Sequence, residues 1–507
     1  MPPEIQPPFS KILIANRGEI AVRLIRACRE MGIVSVAVYS EADANALHTR
    51  TADEAVLIGA AEASESYLNI ERVVDAAKES GAEAIHPGYG FLAENPGSAQ
   101  AVADASLTFI GPSPEAMRAM GDKAAARTLM GKAGVPLVPG YQGEDDDESL
   151  QKAANDIGYP VLLKAAAGGG GKGMRVVENP DELEEAIGAA RREAQNAFGD
   201  PRMIVEKYVT NARHVEIQVL ADSHGNTLHL FERECSIQRR HQKIIEETPS
   251  PLLDDELRDV MGKAAVAAAE AVSYVNAGTV EFIVDPDTRQ FYFLEMNTRL
   301  QVEHPITEML TGLDLVQWQI RIAAGEKLPL TQDELSMRGH AIECRLYAED
   351  PASGFLPATG IILAWQPPDG PGVRVDSGIS AGTEVGVYYD PLLAKIIVQA
   401  EDRPAAIQKM RTALRDTVVL GLTTNREFLL DVLVHETFQK GTATTAFIAQ
   451  HMNPWLPDEY VPVEALIAAA ISEFHSPSNT GANLSTSEND PYSPWKRLKG
   501  FRMGMGQ

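Results

Sequence analysis

Between Phe291 and His304 the chain reads Phe-Tyr-Phe-Leu-Glu-Met-Asn-Thr-Arg-Leu-Gln-Val-Glu-His, and few folds accommodate that order. The first half is aromatic and β-prone, so it predicts a strand, whose alternate side chains point to opposite faces. Glu295, Asn297, Arg299, Gln301 and Glu303 all fall on odd numbers. If the extended conformation holds through Glu303, these five polar groups share one face, and Phe291 and Phe293 precede them on it. Such a row is costly to bury unless it binds a cation and an anion. A solvated edge strand would favour Lys, Thr and Ser instead. The chain therefore needs a sheet in which one strand leaves an apolar core and enters a site.

The 507 residues suffice for three or four domains of roughly 100–200 residues each. Hydrophobic residues make up 44% and charged residues 23%, which is ordinary for a globular protein. The net charge of −26 argues against nucleic-acid partners, although a local basic pocket can still take an anionic substrate. No apolar run reaches the length of a membrane span. The Met1–Pro8 segment has neither a secretory nor a transit-peptide pattern, so the expectation is a cytoplasmic protein. Cys28, Cys235 and Cys344 lack metal-ligand spacing and suit buried positions in a reducing compartment.

The fold class expected is α/β (α+β). Lys11–Ala15, a helical pattern over Glu19–Met31 and Val34–Tyr39 read as a βαβ start, and residues 1–121 as one doubly wound α/β domain. It carries a glycine-rich loop, His86-Pro-Gly-Tyr-Gly-Phe91, but no dinucleotide fingerprint. Residues 122–324 form a second domain with a small unit at about 136–208. Strands are expected near His214–Leu220, Thr227–Phe231 and Thr279–Val284, with an Ala-rich helix at about Asp254–Val272. Residues 325–450 form a mixed third domain, with a strand at His340–Tyr347 and a helix near Pro404–Asp416. Residues 451–507 read as a partly flexible tail, poor in large apolar residues from His475 to Pro494.

In the small unit, Pro160-Val-Leu-Leu-Lys164 leads into Gly168-Gly-Gly-Gly-Lys172-Gly173 and then Met-Arg-Val-Val. This strand, glycine loop and strand suit a flap whose backbone N–H groups approach phosphate; a bare hairpin tip is the alternative. Lys164, ending an apolar strand, favours a phosphate partner. Lys123 alone would read as a surface lysine, and Glu206-Lys207-Tyr208-Val209 as a plain strand or an adenine-reading edge. Glu281 lies in an apolar strand and needs a partner. With Glu295 and Asn297 it makes an oxygen-only set suited to Mg²⁺ or Mn²⁺, unless the carboxylates are bridged by Arg or Lys. Gln238 to Lys243 offers five donors in six positions, enough to grip an anion or to form a basic surface loop. Arg345 alternates with apolar Cys344 and Leu346. His214, His241 and His304 have no metal-like spacing and read as hydrogen-bonding structural residues.

Together these motifs resemble the biotin carboxylase component of biotin-dependent carboxylases, within the ATP-grasp superfamily. The likeness runs from about Lys11 to 450. It rests on Ile-Ala-Asn-Arg-Gly-Glu-Ile-Ala (14–21), His-Pro-Gly-Tyr-Gly-Phe-Leu (86–92), Met-Gly-Asp-Lys (120–123), the glycine flap, Arg-His-Val-Glu-Ile-Gln (213–218), Gln-Arg-Arg-His-Gln-Lys (238–243), Glu-Met-Asn-Thr-Arg-Leu-Gln-Val-Glu-His (295–304) and Glu-Cys-Arg (343–345). The resemblance implies that ATP is bound by Lys123, Lys164, Gly168, Gly169, Gly170, Gly171, Gly173, Glu206, Lys207, Val209, His214, Gln238 and His241. Glu281 and Glu295, with Asn297, would hold two divalent ions. Lys243, Arg299, Gln301, Val302 and Glu303 would bind bicarbonate, with Glu303 as general base. Arg345 and Tyr89 would meet biotin. No Ala-Met-Lys-Met attachment sequence is present, so the resemblance is to a free-standing subunit. Its expected partners are a biotin carboxyl carrier protein and carboxyltransferase subunits, and its expected state is a homodimer. Arg345 in its family context disfavours the alternative of a non-biotin ATP-grasp ligase.

Overall fold

The computed structural model describes residues 7–141, 143, 145–166, 174–240, 242–457 and 463–475. The flap residues Gly168–Gly171, Lys172 and Gly173, together with His241, lie outside them. Residues up to Leu456 form one compact unit, and those from Pro457 onward a second. In the second, the helix Val463–His475 exposes Val463, Leu466, Ile467 and Ile471. Among the described residues, no helix is long and apolar enough to cross a membrane.

The first strands are β1 (Lys11–Ile14), β2 (Val34–Ser40), β3 (Glu54–Gly59), β4 (Ala84–His86) and β5 (Thr108–Phe109), paired in parallel in the order β3-β2-β1-β4-β5. A central β1 with crossovers to both sides is the doubly wound arrangement expected from the apolar runs. A smaller antiparallel sheet, in the order β6-β9-β7-β8, contains β6 (Gly140–Tyr141), β7 (Val161–Ala165), β8 (Met174–Val177) and β9 (Met203–Lys207). The glycine run connects β7 to β8, with Lys164 paired to Met174.

The site is built on an eight-stranded sheet. Its strands include β10 (Arg213–Ala221), β11 (Thr227–Arg239), β12 (Gln242–Thr248), β13 (Asn276–Val284), β14 (Phe291–Asn297) and β15 (His340–Tyr347). The order is β14-β13-β10-β11-β12-β15, then Leu392–Ala400 and Val373–Ser377. One sheet thus runs from the expected second domain into the third. β11 is longer than expected, and Gln238–Lys243 belongs to a β11–β12 hairpin rather than a basic loop. Gln238 pairs with Lys243, Arg239 stacks 4.3 Å over the Phe355 ring, and Arg240 takes a positive φ at the turn.

Two bulges sort the side chains between the sheet faces. On β14, Glu295 sits opposite Glu281 and Phe293 opposite Phe282, leaving Leu294 unpaired. An extra residue reverses the alternation. Phe291 and Phe293 therefore lie on the opposite face from Glu295, which corrects the expectation of one shared face. They pack with Phe282, Val284 and Met261 of the helix Asp255–Glu270 in an apolar core. On β12, Gln238 opposes Lys243 and Ile237 opposes Ile245, leaving Ile244 unpaired. That bulge puts Lys243 and Glu246 on the same face.

The other face carries charge from strand to strand. Glu295 opposes Glu281, Glu281 opposes Glu216, and Glu216 opposes Arg233. Farther along, Glu246 opposes Glu343, Arg345 opposes Lys395, and Lys395 opposes Asp376. The helix His304–Thr311 packs over this face, with Thr307 accepting from Arg233 at 2.9 Å. The polar row runs mainly across the sheet, not along one strand.

Candidate active site

Lys243 stands at the centre of the charged face. Its Nζ donates to Glu216 Oε2 at 2.5 Å, Glu303 Oε1 at 2.7 Å and Glu281 Oε1 at 2.8 Å. All four residues are buried. Burial opposes the lysine charge, but the three carboxylates hold its pKa well above the ordinary value. Glu216 also accepts from Arg233, which reaches Gln218 at 2.7 Å and Thr279 at 3.0 Å. Glu216 was missed as a site residue. Its signal was the alternation of His214, Glu216 and Gln218 with Val215, Ile217 and Val219.

Extended structure ends at Asn297, so the strand predicted to run to Glu303 is corrected: Arg299–Glu303 is a turning segment that leads into the helix at His304. The turn still brings its polar groups together. Asn297 Nδ2 and Gln301 Nε2 donate to Glu281 Oε1 at 2.8 and 3.0 Å. Arg299 donates to Gln301 Oε1 at 2.6 Å and Asn297 Oδ1 at 3.1 Å. Glu94 secures this turn, accepting from Arg299 Nε at 2.8 Å and from the Thr298 N–H at 3.0 Å. Glu94 was also missed, although it follows the Gly88–Gly90 loop closely.

Glu303 is fully buried between two cations, with Arg345 Nη2 3.0 Å from Oε2. Burial pushes its pKa up, but Lys243, Arg345 and Arg233 more than reverse this and hold it well below the carboxylate range. It is thus held ionised between the two cations. Arg345 Nε donates to Glu246 Oε1 at 2.6 Å. The Val302 carbonyl accepts from buried Lys395 at 2.8 Å. Arg345, Val302, Arg299 and Tyr89 line a cavity of about 460 Å³, together with Arg17, Phe91 and Tyr389.

Where ATP binding is expected, Lys164 reaches Glu206 Oε2 at 2.6 Å, and Arg127 reaches Oε1 at 2.6 Å. The Lys207 ammonium is occupied by the Gly158 and Tyr159 carbonyls at 2.8 and 3.1 Å. Val209 follows β9 and is half-buried. Lys123 lies 3.9 Å from half-exposed Glu295. His214 Nε2 lies 2.9 Å from Glu281 Oε2, and Gln238 3.3 Å from Nδ1. His214 and Gln238 therefore sit against the carboxylate expected to hold metal. Burial disfavours the His214 cation, but Glu281 raises its pKa overall.

Glu281 is bridged to Lys243, as the alternative reading allows, and the oxygen donors of Glu281 and Glu295 are still of the kind a divalent ion favours. Protein around Glu295 and the opposing Glu281 charge both push the Glu295 pKa up. A Mg²⁺-like ion between them would relieve that repulsion, and carboxylate oxygens are the donors such an ion favours. Asn297 presents its amide nitrogen to Glu281 and its oxygen to Arg299.

A parallel doubly wound sheet, followed in the chain by an antiparallel sheet bearing a lysine–carboxylate cluster, is the arrangement of an ATP-grasp ligase. Comparisons with known proteins narrow the class. "Biotin carboxylase, N-terminal domain" matches residues 8–117. "Carbamoyl-phosphate synthase L chain, ATP binding domain" matches 122–331, and "Biotin carboxylase C-terminal domain" matches 343–450. A biotin carboxylase of Nostoc sp. is 54% identical over 447 residues, covering 88% of this chain and 99% of that one. The mitochondrial methylcrotonoyl-CoA carboxylase subunit alpha of Dictyostelium discoideum is 51% identical, covering 98% of this chain and 71% of that subunit. A Campylobacter jejuni biotin carboxylase–β,γ-ATP complex superposes with a TM-score of 0.85 at 48% identity, covering 87% of this chain and 99% of that one. The biotin carboxylase domain dimer of Hydrogenobacter thermophilus 2-oxoglutarate carboxylase, holding MgADP, ADP and bicarbonate, gives the same score and identity over 90% of this chain and 99% of that one. The chain belongs to the biotin carboxylase family and is a ligase.

Proposed function

We propose that the chain uses ATP and bicarbonate to carboxylate biotin held on a carrier outside residues 1–507, as the first half-reaction of an acyl-CoA carboxylase. The carrying observation is Glu303, ionised between Lys243 and Arg345, next to a cavity lined by Arg345, Val302 and Tyr89. Similarity to methylcrotonoyl-CoA carboxylase alpha subunits favours an acyl-CoA as the final acceptor; acetyl-CoA, propionyl-CoA and methylcrotonoyl-CoA are the candidates, with pyruvate the alternative.

Lys243, Arg299, Gln301 and the Val302 backbone hold bicarbonate, and Glu303 takes its proton, leaving a stronger oxygen nucleophile. That oxygen attacks the γ-phosphorus, the bond to ADP breaks, and carboxyphosphate forms. Carboxyphosphate gives CO₂ and phosphate; phosphate removes the biotin N1 proton, and N1 bonds to CO₂. Arg345 stabilises the ureido oxygen as charge develops on it, and Tyr89 lies against the ring. Lys123, Lys164, the glycine flap, Glu206, Lys207, Val209, His214, Gln238 and His241 bind the nucleotide, and the flap excludes water. Glu281 and Glu295, with Asn297 beside them, would hold two Mg²⁺ or Mn²⁺ ions, which would supply positive charge to neutralise the phosphates. Division into domains at 121, 324 and 450, with residues 136–208 as a lid, agrees with these tasks. A carrier protein, carboxyltransferase subunits, a second copy of this chain and a cytoplasmic setting complete the reading. The test supplies ATP, Mg²⁺, bicarbonate and biotinylated carrier and follows phosphate release. Release that ignores both bicarbonate and biotin overturns the proposal.

A further inference from the structure

Arg345 and Lys395 lie opposite each other on neighbouring strands, two buried cations side by side. Each needs anionic partners. Lys395 has the Val302 carbonyl at 2.8 Å, Glu19 at 3.3 Å and Asp376 at 3.9 Å. Arg345 is gripped from two sides: Glu303 Oε2 at 3.0 Å and Glu246 Oε1 at 2.5–2.6 Å. These anions have different fates under the reading above, on which this inference rests. Glu303 takes up a proton during turnover and then ceases to hold the guanidinium as an ion pair. Glu246 has no such task.

We propose that Glu246 is a positioning residue for carboxyl transfer: it keeps the Arg345 guanidinium on the cavity wall, aimed at the biotin oxygen, after Glu303 has been protonated. Glu343 makes the arrangement workable. It lies directly opposite Glu246 and two residues before Arg345 on the same face. It is fully buried, and neither of its oxygens has a hydrogen-bond partner. An ionised carboxylate is not tolerated there, so Glu343 is the neutral member of the pair, and Glu246 is the one that the Arg345 guanidinium holds. Burial raises both, Glu246 to about 7 against the pull of Arg345, and Glu343 well above its usual range.

The experiment compares full chains carrying Glu246→Gln, Glu246→Asp or Glu343→Gln with the unaltered protein. Each is assayed with MgATP and bicarbonate, with and without biotinylated carrier. Glu246→Gln is expected to lower biotin-stimulated turnover by about 10- to 100-fold, the usual cost of losing a partner that orients a site group. Bicarbonate-dependent turnover without biotin, and the KM for ATP, are expected to stay within about twofold, because Glu246 touches neither. Glu246→Asp is expected to restore part of the loss, and Glu343→Gln to remain near full activity. A Glu246→Gln variant that loses both turnovers together with thermal stability overturns the inference, as does one that loses neither. Equal damage from Glu343→Gln overturns the assignment of the neutral member. An unaltered protein whose turnover needs neither bicarbonate nor biotin overturns the functional reading itself, and this inference with it.

Discussion

Replacing Glu303 with Gln keeps the shape of the site and removes one charge. The structure supplies the consequences. Lys243 loses its 2.7 Å ion pair but keeps Glu216 and Glu281; Arg345 loses its 3.0 Å pair but keeps Glu246. Neither cation is stranded, so the stability cost is about 1–3 kcal/mol rather than the larger cost of an unpaired buried charge. Turnover suffers more. A positioned general base contributes roughly 10²- to 10⁴-fold, about 3–5 kcal/mol of barrier. Glu303→Gln should therefore release phosphate at most at about one hundredth of the normal rate. Lys164, Glu206 and Lys207 do not touch Glu303, so nucleotide binding by calorimetry should be unchanged. The pH dependence has a definite sign. The native pKa of Glu303 is depressed, so its stabilising contribution is present above the unfolded value of about 4.3 and is lost as pH falls below it. The stability gap between the two proteins should close in acid. A variant that keeps more than about a tenth of its turnover would refute the base assignment.

Lys243→Met leaves three buried carboxylates facing one another and should cost about 3–5 kcal/mol in denaturant melts, with turnover lost. Burial raises the Glu247 pKa, but His340 and Arg403 overcome this and hold it at about 2. The ionised carboxylate thus contributes about 3 kcal/mol at neutral pH, lost as pH falls from about 4.5 towards 2; melts of Glu247→Gln at pH 7 and pH 3 check this. Phe282→Ala empties the apolar side of the sheet and should cost about 3–5 kcal/mol by thermal or denaturant unfolding. At Gly378 an added Cβ would lie 2.5 Å from the Glu19 backbone nitrogen and 2.7 Å from the Gly18 carbonyl carbon. Gly378→Ala should therefore displace the start of the helix Gly18–Glu30 beside the cavity, lowering the melting temperature and raising the KM for biotin.

Much of the site was legible because its chemistry leaves local marks. Glu281 in an apolar strand, Lys164 at a strand end and the alternation through Asn297 each name a residue that needs a partner. Glu246 was not legible. It stands next to Glu247 in Ile-Ile-Glu-Glu, and sequence cannot tell which of two adjacent carboxylates faces the cleft. Nor could it foresee that Glu246 meets Arg345 from 99 positions away.

The sequence by itself determined the alphabet of the site: apolar runs long enough for the sheets, and charged residues too expensive to bury without mutual partners or ligands. Tertiary structure decided their geometry. One unpaired residue at Leu294 and another at Ile244 reverse the strand alternation, sending Phe293 to the core and setting Lys243 beside Glu246 on the charged face. A bulge depends on how two strands register against each other, and neither strand records that alone. The row that began as five residues on one strand is therefore a strip crossing the sheet, closed by the turn from Arg299 to Glu303.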